Sequence, residues 1–160
     1  MVRPSATLAF AAVVLQVLVQ VGAESDDGFL PIEGVKTTYK IITAGAAGAA
    51  FVEAGDTVTV HATGIVRETE KKFWSTKDPG QKKFTYTAGG GVIRGWDMGA
   101  RGMKNGEVRR LHIPADEGYG AGGFPAWGIP PNGGLIFELE VSAIKSGGKD
   151  KKGSQDANDL

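Results

Sequence analysis

The sequence predicts an α+β fold, an antiparallel, strongly curved β-sheet wrapped around one short α-helix, and three observations predict it. Several segments alternate apolar or β-branched residues with polar ones, the mark of a half-buried strand. No segment shows long helical periodicity; one short piece, Val92 to Met103, spaces Val92, Trp96 and Met103 as one helix face would. The chain of 160 residues has room for one ordinary core and not for two.

The elements follow in order. "VKTTYKIIT", Val35 to Thr43, and "TVTVHATGIV", Thr57 to Val66, are rich in β-branched residues; in the second, Val58, Val60 and Ala62 alternate with Thr57, Thr59 and His61, so one face is expected in the core. The low-complexity "AGAAGAA" between them lacks the lysine and serine of a phosphate loop and reads as a flexible connection. "EVRRLHI", Glu107 to Ile113, follows the turn signal Asn105-Gly106 and ends at Pro114. "GLIFELEV" sets Leu135, Phe137, Leu139 and Val141 against Ile136, Glu138 and Glu140, a strand with one buried face.

The helix is the weak element. Gly95, Gly99 and Gly102 each disfavour it by roughly 1 kcal/mol against alanine. It survives only if a sheet packs on it, and its glycines let it lie close. The glycines at 89–91 ahead of it are not a nucleotide-binding loop, because no buried strand, long helix, Lys-Ser/Thr pair or parallel βαβ unit accompanies them.

The ends read differently from the middle. Arg3, an apolar run from Leu8 to Val21 and the small residues Gly22-Ala23 before "ESDDG" have the order of a secretory signal, so residues 1–23 are expected to be a cleaved signal peptide. The run is shorter than the ~20 residues of a membrane span, and no span is expected after cleavage. Residues 24–50 form an N-terminal extension with the first strand and 51–145 the main domain. Residues 146–160, glycine mixed with charge, are expected to be a disordered polar tail. The location implied is the secretory pathway, the ER lumen or outside the cell, with a bipartite address to another organelle as a variant.

Composition removes several chemistries. Basic and acidic residues total 18 each, so nucleic acid is not the expected partner. The absence of cysteine excludes disulfides, a thiol nucleophile and a cysteine-bound metal. His61 and His112 have no carboxylate at a metal-ligand spacing and read as outward strand residues; no metal is expected. No acid–base pair for a hydrolase stands out. Lys71, Lys72, Lys77, Lys82 and Lys83 read as a solvated face.

"GVIRGWDMGARGMKNGEVRRLHIP" followed by "GYGAGGFPAWGIPPNGGLIFELEV" resembles the FKBP-type peptidyl-prolyl cis-trans isomerases, over about Gly55 to Lys145. The resemblance implies a single-domain monomer that rotates X-Pro bonds of proline-containing polypeptides, assists folding, needs no cofactor and takes macrolide inhibitors such as rapamycin and tacrolimus. It implies a catalytic group of Ile93, whose N–H holds a substrate carbonyl, Trp96 as pocket floor, Tyr119 and Phe137. It implies further substrate contacts from Phe73, Phe84, Val92 and Ile129.

Three departures from the family pattern fall in the same pocket. Ala62 replaces a tyrosine, Trp74 replaces an aspartate, and the overhanging loop reads "GGFPAWGIPP" with Phe124 in place of a histidine and Trp127 on an extra residue. Trp74 has the bulk to fill the volume Ala62 vacates. The competing expectation is a binding module or chaperone that keeps the fold and grips proline-containing segments with weak turnover.

Overall fold

The computed structural model of the chain describes residues 28–147; the expected signal peptide and all but the first two residues of the expected tail lie outside the described residues. Seven strands form one antiparallel sheet: β1 (Leu30–Pro31), β2 (Thr38–Thr43), β3 (Thr57–Val66), β4 (Lys72–Ser75), β5 (Phe84–Thr87), β6 (Val108–Ile113) and β7 (Leu135–Lys145), in the order β1-β2-β6-β7-β3-β4, with β5 also on β3. One α-helix among the described residues, α1 (Arg94–Ala100), lies against it. Three 3₁₀ turns, Ala115–Glu117, Gly120–Gly122 and Pro125–Trp127, fill the long β6–β7 connection.

The alternation read from the sequence is the alternation observed. Val58, Val60, Ala62 and Val66 of β3 are buried, as are Leu135, Phe137, Leu139 and Val141 of β7. These two long central strands pair in register from Thr57↔Lys145 to Val66↔Leu135 with one irregularity between Thr59 and Val60. Further shifts fall between Gly64 and Ile65 of β3 against β4 and between Ile41 and Thr43 of β2 against β6. Such bulges raise the local twist and bend the sheet around the helix.

The helix is shorter than Val92–Met103. Ile93 is extended at φ −60°, ψ 149°, so Val92 and Ile93 precede the helix; Arg101 is extended again, and Gly102 at φ +73° is left-handed and turns the chain away. Gly95 and Gly99 do what the glycines were expected to do. A Cβ on Gly99 would stand 2.5 Å from Leu111 Cδ1, and one on Gly95 would run into Ile113. Two turns this short hold through packing and an anchor at the C-terminal end. Arg109, on β6, donates from Nη1 to the carbonyls of Gly99 (2.9 Å) and Arg101 (3.2 Å), which the helix leaves unpaired. Its charge is matched by Glu107 at 2.6 Å and by the Tyr39 ring, 4.3 Å below the guanidinium.

β2, expected from Val35, begins at Thr38 because Lys36 and Thr37 are taken by another partner. The buried Glu117 carboxylate accepts from Lys36 N–H (2.7 Å), Thr37 N–H (2.8 Å) and the Thr37 hydroxyl (2.6 Å). This ties the N-terminal segment to the connection that carries Tyr119. His61 and His112 both sit on strands, His61 Nδ1 at 3.0 Å from the Thr76 hydroxyl and His112 stacked on Phe29.

Candidate functional site

Between the helix, the outer end of the sheet and the β6–β7 connection lies a cleft of about 220 Å³. Its floor is Trp96 on α1, only 4% exposed. The ring is fixed by an edge contact to Phe137 of β7 (4.8 Å, 65°) and another to Phe84 of β5 (5.7 Å, 73°). Val92 and Ile93, just ahead of the helix, form the entrance with Gly91. Trp74 of β4 makes one side, and Tyr119 and Trp127 overhang the other.

Several local features fix this arrangement. Asp97, one turn into the helix region, accepts from Gly89 N–H (2.7 Å) and from Arg101 (2.8 Å), and so holds the glycine segment against the helix. Gly64 on β3 has no side chain because the Phe73 and Phe137 rings lie over it; a Cβ there would be 2.9 Å from Phe137 Cε1 and closer still to Phe73. Behind Trp96 the buried Tyr86 ring packs at 6.0 Å and 89°. Burial pushes the Tyr86 hydroxyl up to about 12. Burial also raises Tyr119, so its phenol stays a protonated donor at neutral pH.

The rim is a chain of exposed and half-buried aromatics. Trp127, 42% exposed, stacks parallel on Trp74 across the cleft (6.4 Å, 2°), leans on Phe73 (6.0 Å) and meets Phe124 edge-on (5.0 Å). Tyr119 touches Phe124 at 5.4 Å and Trp127 at 6.3 Å.

Of the twelve residues singled out from the sequence, the structure gathers eight around the cleft: the four expected catalytic ones, Ile93, Trp96, Tyr119 and Phe137, with Trp74, Phe84, Val92 and Trp127. The other four stand behind or beside it. Phe73 props Trp127 and Phe137, Phe124 lies outside on the rim, Ile129 is 1% exposed under the Phe124 bridge, and Ala62 is 1% exposed within β3. The indole of Trp74 therefore turns toward Trp127 and Trp96 over the cleft. Gly91 and Tyr86 were missed in the sequence; the one lines the cleft with backbone alone, and the other shows only in the alternation of "FTYT".

Chemically the cleft is apolar. Tyr119 is its one titratable side chain, and among the described residues no group of His, Cys, Asp and Glu is arranged to hold a metal ion. It is smaller than the ~300 Å³ at which drug-sized ligand pockets begin, and it suits a single small ring.

Comparison with known proteins agrees with this geometry. A family model described as FKBP-type peptidyl-prolyl cis-trans isomerase matches residues 48–142. The chain is 56% identical over 94 residues to the peptidyl-prolyl cis-trans isomerase FKBP12 of Arabidopsis thaliana, covering 57% of this chain and 84% of that one. To the protein of the same name from Vicia faba it is 59% identical over 90 residues, 54% of this chain and 80% of that one. Among solved structures, FkpA from Escherichia coli superposes with a TM-score of 0.66 at 29% identity, over 78% of this chain and 55% of the FkpA chain.

Proposed function

The chain belongs to the FKBP-type peptidyl-prolyl cis-trans isomerases and is an isomerase of X-Pro bonds that acts in protein folding; from that premise we propose that the reaction takes place in the Trp96 cleft, with the proline ring on the indole. The observation that carries this assignment is the lining, six aromatic and two aliphatic side chains around a space of about 220 Å³.

The chemistry asks for no more than such a cleft. Rotation of a peptide bond faces about 18–20 kcal/mol, mostly lost resonance between nitrogen and carbonyl, and needs no proton transfer. Catalysis then requires only that the twisted amide be bound better than the planar one. A dry aromatic wall favours the twisted form, whose charge separation is smaller. The Ile93 N–H and the Tyr119 hydroxyl are the donors that fix the carbonyls on either side, and they leave the rotating amide itself free. Phe137 and Phe84 hold the Trp96 plane at a fixed angle and so preserve the shape complementary to the twisted state.

The stacked Trp74 and Trp127 rings narrow the opening, and macrolides of the rapamycin and tacrolimus type would bind with moderate affinity at best, once these rings part. The sequence of residues 1–23 supports entry into the secretory pathway; amino-terminal sequencing of the protein recovered from cells, with a new terminus at Glu24, tests that assignment.

The test of the site is NMR exchange spectroscopy on Leu-Pro and Phe-Pro tetrapeptides. Wild type accelerates exchange, and Trp96→Leu, shown folded by its amide spectrum, loses the acceleration. Full catalysis by a folded Trp96→Leu would remove the reaction from this cleft.

A further inference from the structure

A second depression, an open groove of about 700 Å³, runs along β5 beside the aromatic cleft and shares Phe84 and Gly91 with it. Its walls are the outer side of β5, the turn at Ala54–Gly55 and the glycines at 89–91. Among the described residues β5 pairs with β3 alone, so its other edge is open.

The hydrogen-bond phase says which groups face that edge. Ala88 bonds toward the β3 side with both backbone groups, N–H to Asp56 O at 2.8 Å and O from Gly55 N–H at 2.7 Å. Antiparallel pairing alternates by residue, so Tyr86 and Phe84 also face β3, and Thr85 and Thr87 turn their N–H and C=O outward. An open edge with this pattern is a template for another strand. The glycines beyond it clear the way: a Cβ at Gly90 or Gly91 would meet nothing within 4 Å, so bare backbone borders the space that leads to Val92 and Ile93.

Resting on the placement of the reaction in the Trp96 cleft, we propose that this groove is an extended subsite in which residues flanking the substrate's proline add as a strand to the outer edge of β5, bonded to Thr85 and Thr87. The occupant follows from continuity. A polypeptide with its proline on Trp96 leaves the cleft past Phe84 and Gly91, which are also the groove's inner wall. At about 3.3 Å per residue, a four-residue edge matches three to four substrate residues. Recognition through backbone suits an enzyme that meets many sequences, since it reads extended chain rather than particular side chains.

The test uses the full chain and compares kcat/KM for a Leu-Pro tetrapeptide with that for decapeptides extended on one side or the other of the proline. Extension on one side is expected to lower KM about tenfold at little change in kcat, the equivalent of about 1.4 kcal/mol. Thr85→Pro and Thr87→Pro delete outward N–H groups that β3 does not use, and each should bring the long-to-short ratio back toward one. N-methylation of alternate residues in the extension should do the same with unaltered protein, which answers any folding defect in the variants. Equal KM for short and long peptides, or a gain that survives both treatments, overturns the subsite. Amide shifts of Thr85 and Thr87 on adding the decapeptide read binding without turnover: absent shifts overturn the subsite, whereas shifts without turnover fault the placement of the reaction instead.

Discussion

The floor and the rim of the cleft are both aromatic and are built on opposite principles. The floor, Trp96 with Phe137 behind it, is 4% and 2% exposed, and every neighbour has one allowed place. Gly95 and Gly99 set the helix on Ile113 and Leu111, and Arg109 closes its C-terminal end. The rim, Trp127 and Phe124, is 42% and 37% exposed and held by ring stacking on a loop of 3₁₀ turns. A catalyst of bond rotation needs a surface of fixed shape, and close packing supplies one. Selection among sequences needs only adjustable contact, which an exposed loop supplies. The contrast implies that floor changes damage stability and every substrate together, whereas rim changes reorder substrates and leave the fold alone.

The largest expected effect is at the floor itself. Trp96→Ala removes a buried ring that touches Phe84, Tyr86 and Phe137, and urea titration should show a loss of about 3–5 kcal/mol with catalysis gone for all peptides. A loss of similar size is expected far from any substrate. Arg109→Ala strands the buried Glu107 carboxylate and the carbonyls of Gly99 and Arg101, and should cost about 3–5 kcal/mol in the same titration. Arg109→Met, tested beside it, should show how much of that is lost packing.

Next in size is an acid limb in stability. Burial alone would raise Glu117, but the bonds it accepts from Thr37 and from the backbone of Lys36 outweigh that and hold its carboxyl below the usual range. A carboxyl with a depressed folded pKa stabilises above its unfolded value, about 4.3, and loses that contribution as pH falls through the folded value. Melting temperature should therefore drop below about pH 4.3 in wild type, and in Glu117→Gln the curve should start lower and fall less steeply. The smallest stability effect belongs to the rim. Trp127→Ala should stay within about 0.5 kcal/mol of wild type in urea and change the Leu-Pro to Phe-Pro preference.

Sequence reading reached the floor more surely than the rim, for a physical reason. Strict alternation over ten or more residues, as in β3 and β7, leaves one way to bury Val58, Val60, Leu135 and Phe137. Four-residue strands such as β4 and β5 are too short for their alternation to mark them as strands in the sequence. The helix boundaries were overdrawn because Val92 and Met103 keep helical spacing while Ile93 and Gly102 leave helical backbone. The residues that line the cleft are legible from their order in the family pattern. What that order does not carry is depth: Ile129 and Ala62 are core, Phe73 and Phe124 are props, and the direction of the Trp74 indole depends on Trp127, some fifty residues away.

The measurement that tests the division most directly is kcat/KM over a panel of X-Pro peptides for Trp96→Phe, Trp74→Asp and Trp127→Ala against wild type. One common drop across the panel is expected for Trp96→Phe, and a changed ranking, with the best substrate within a few fold of wild type, for the two rim variants. A changed ranking from Trp96→Phe, or a uniform collapse from Trp127→Ala in a folded protein, would contradict that division.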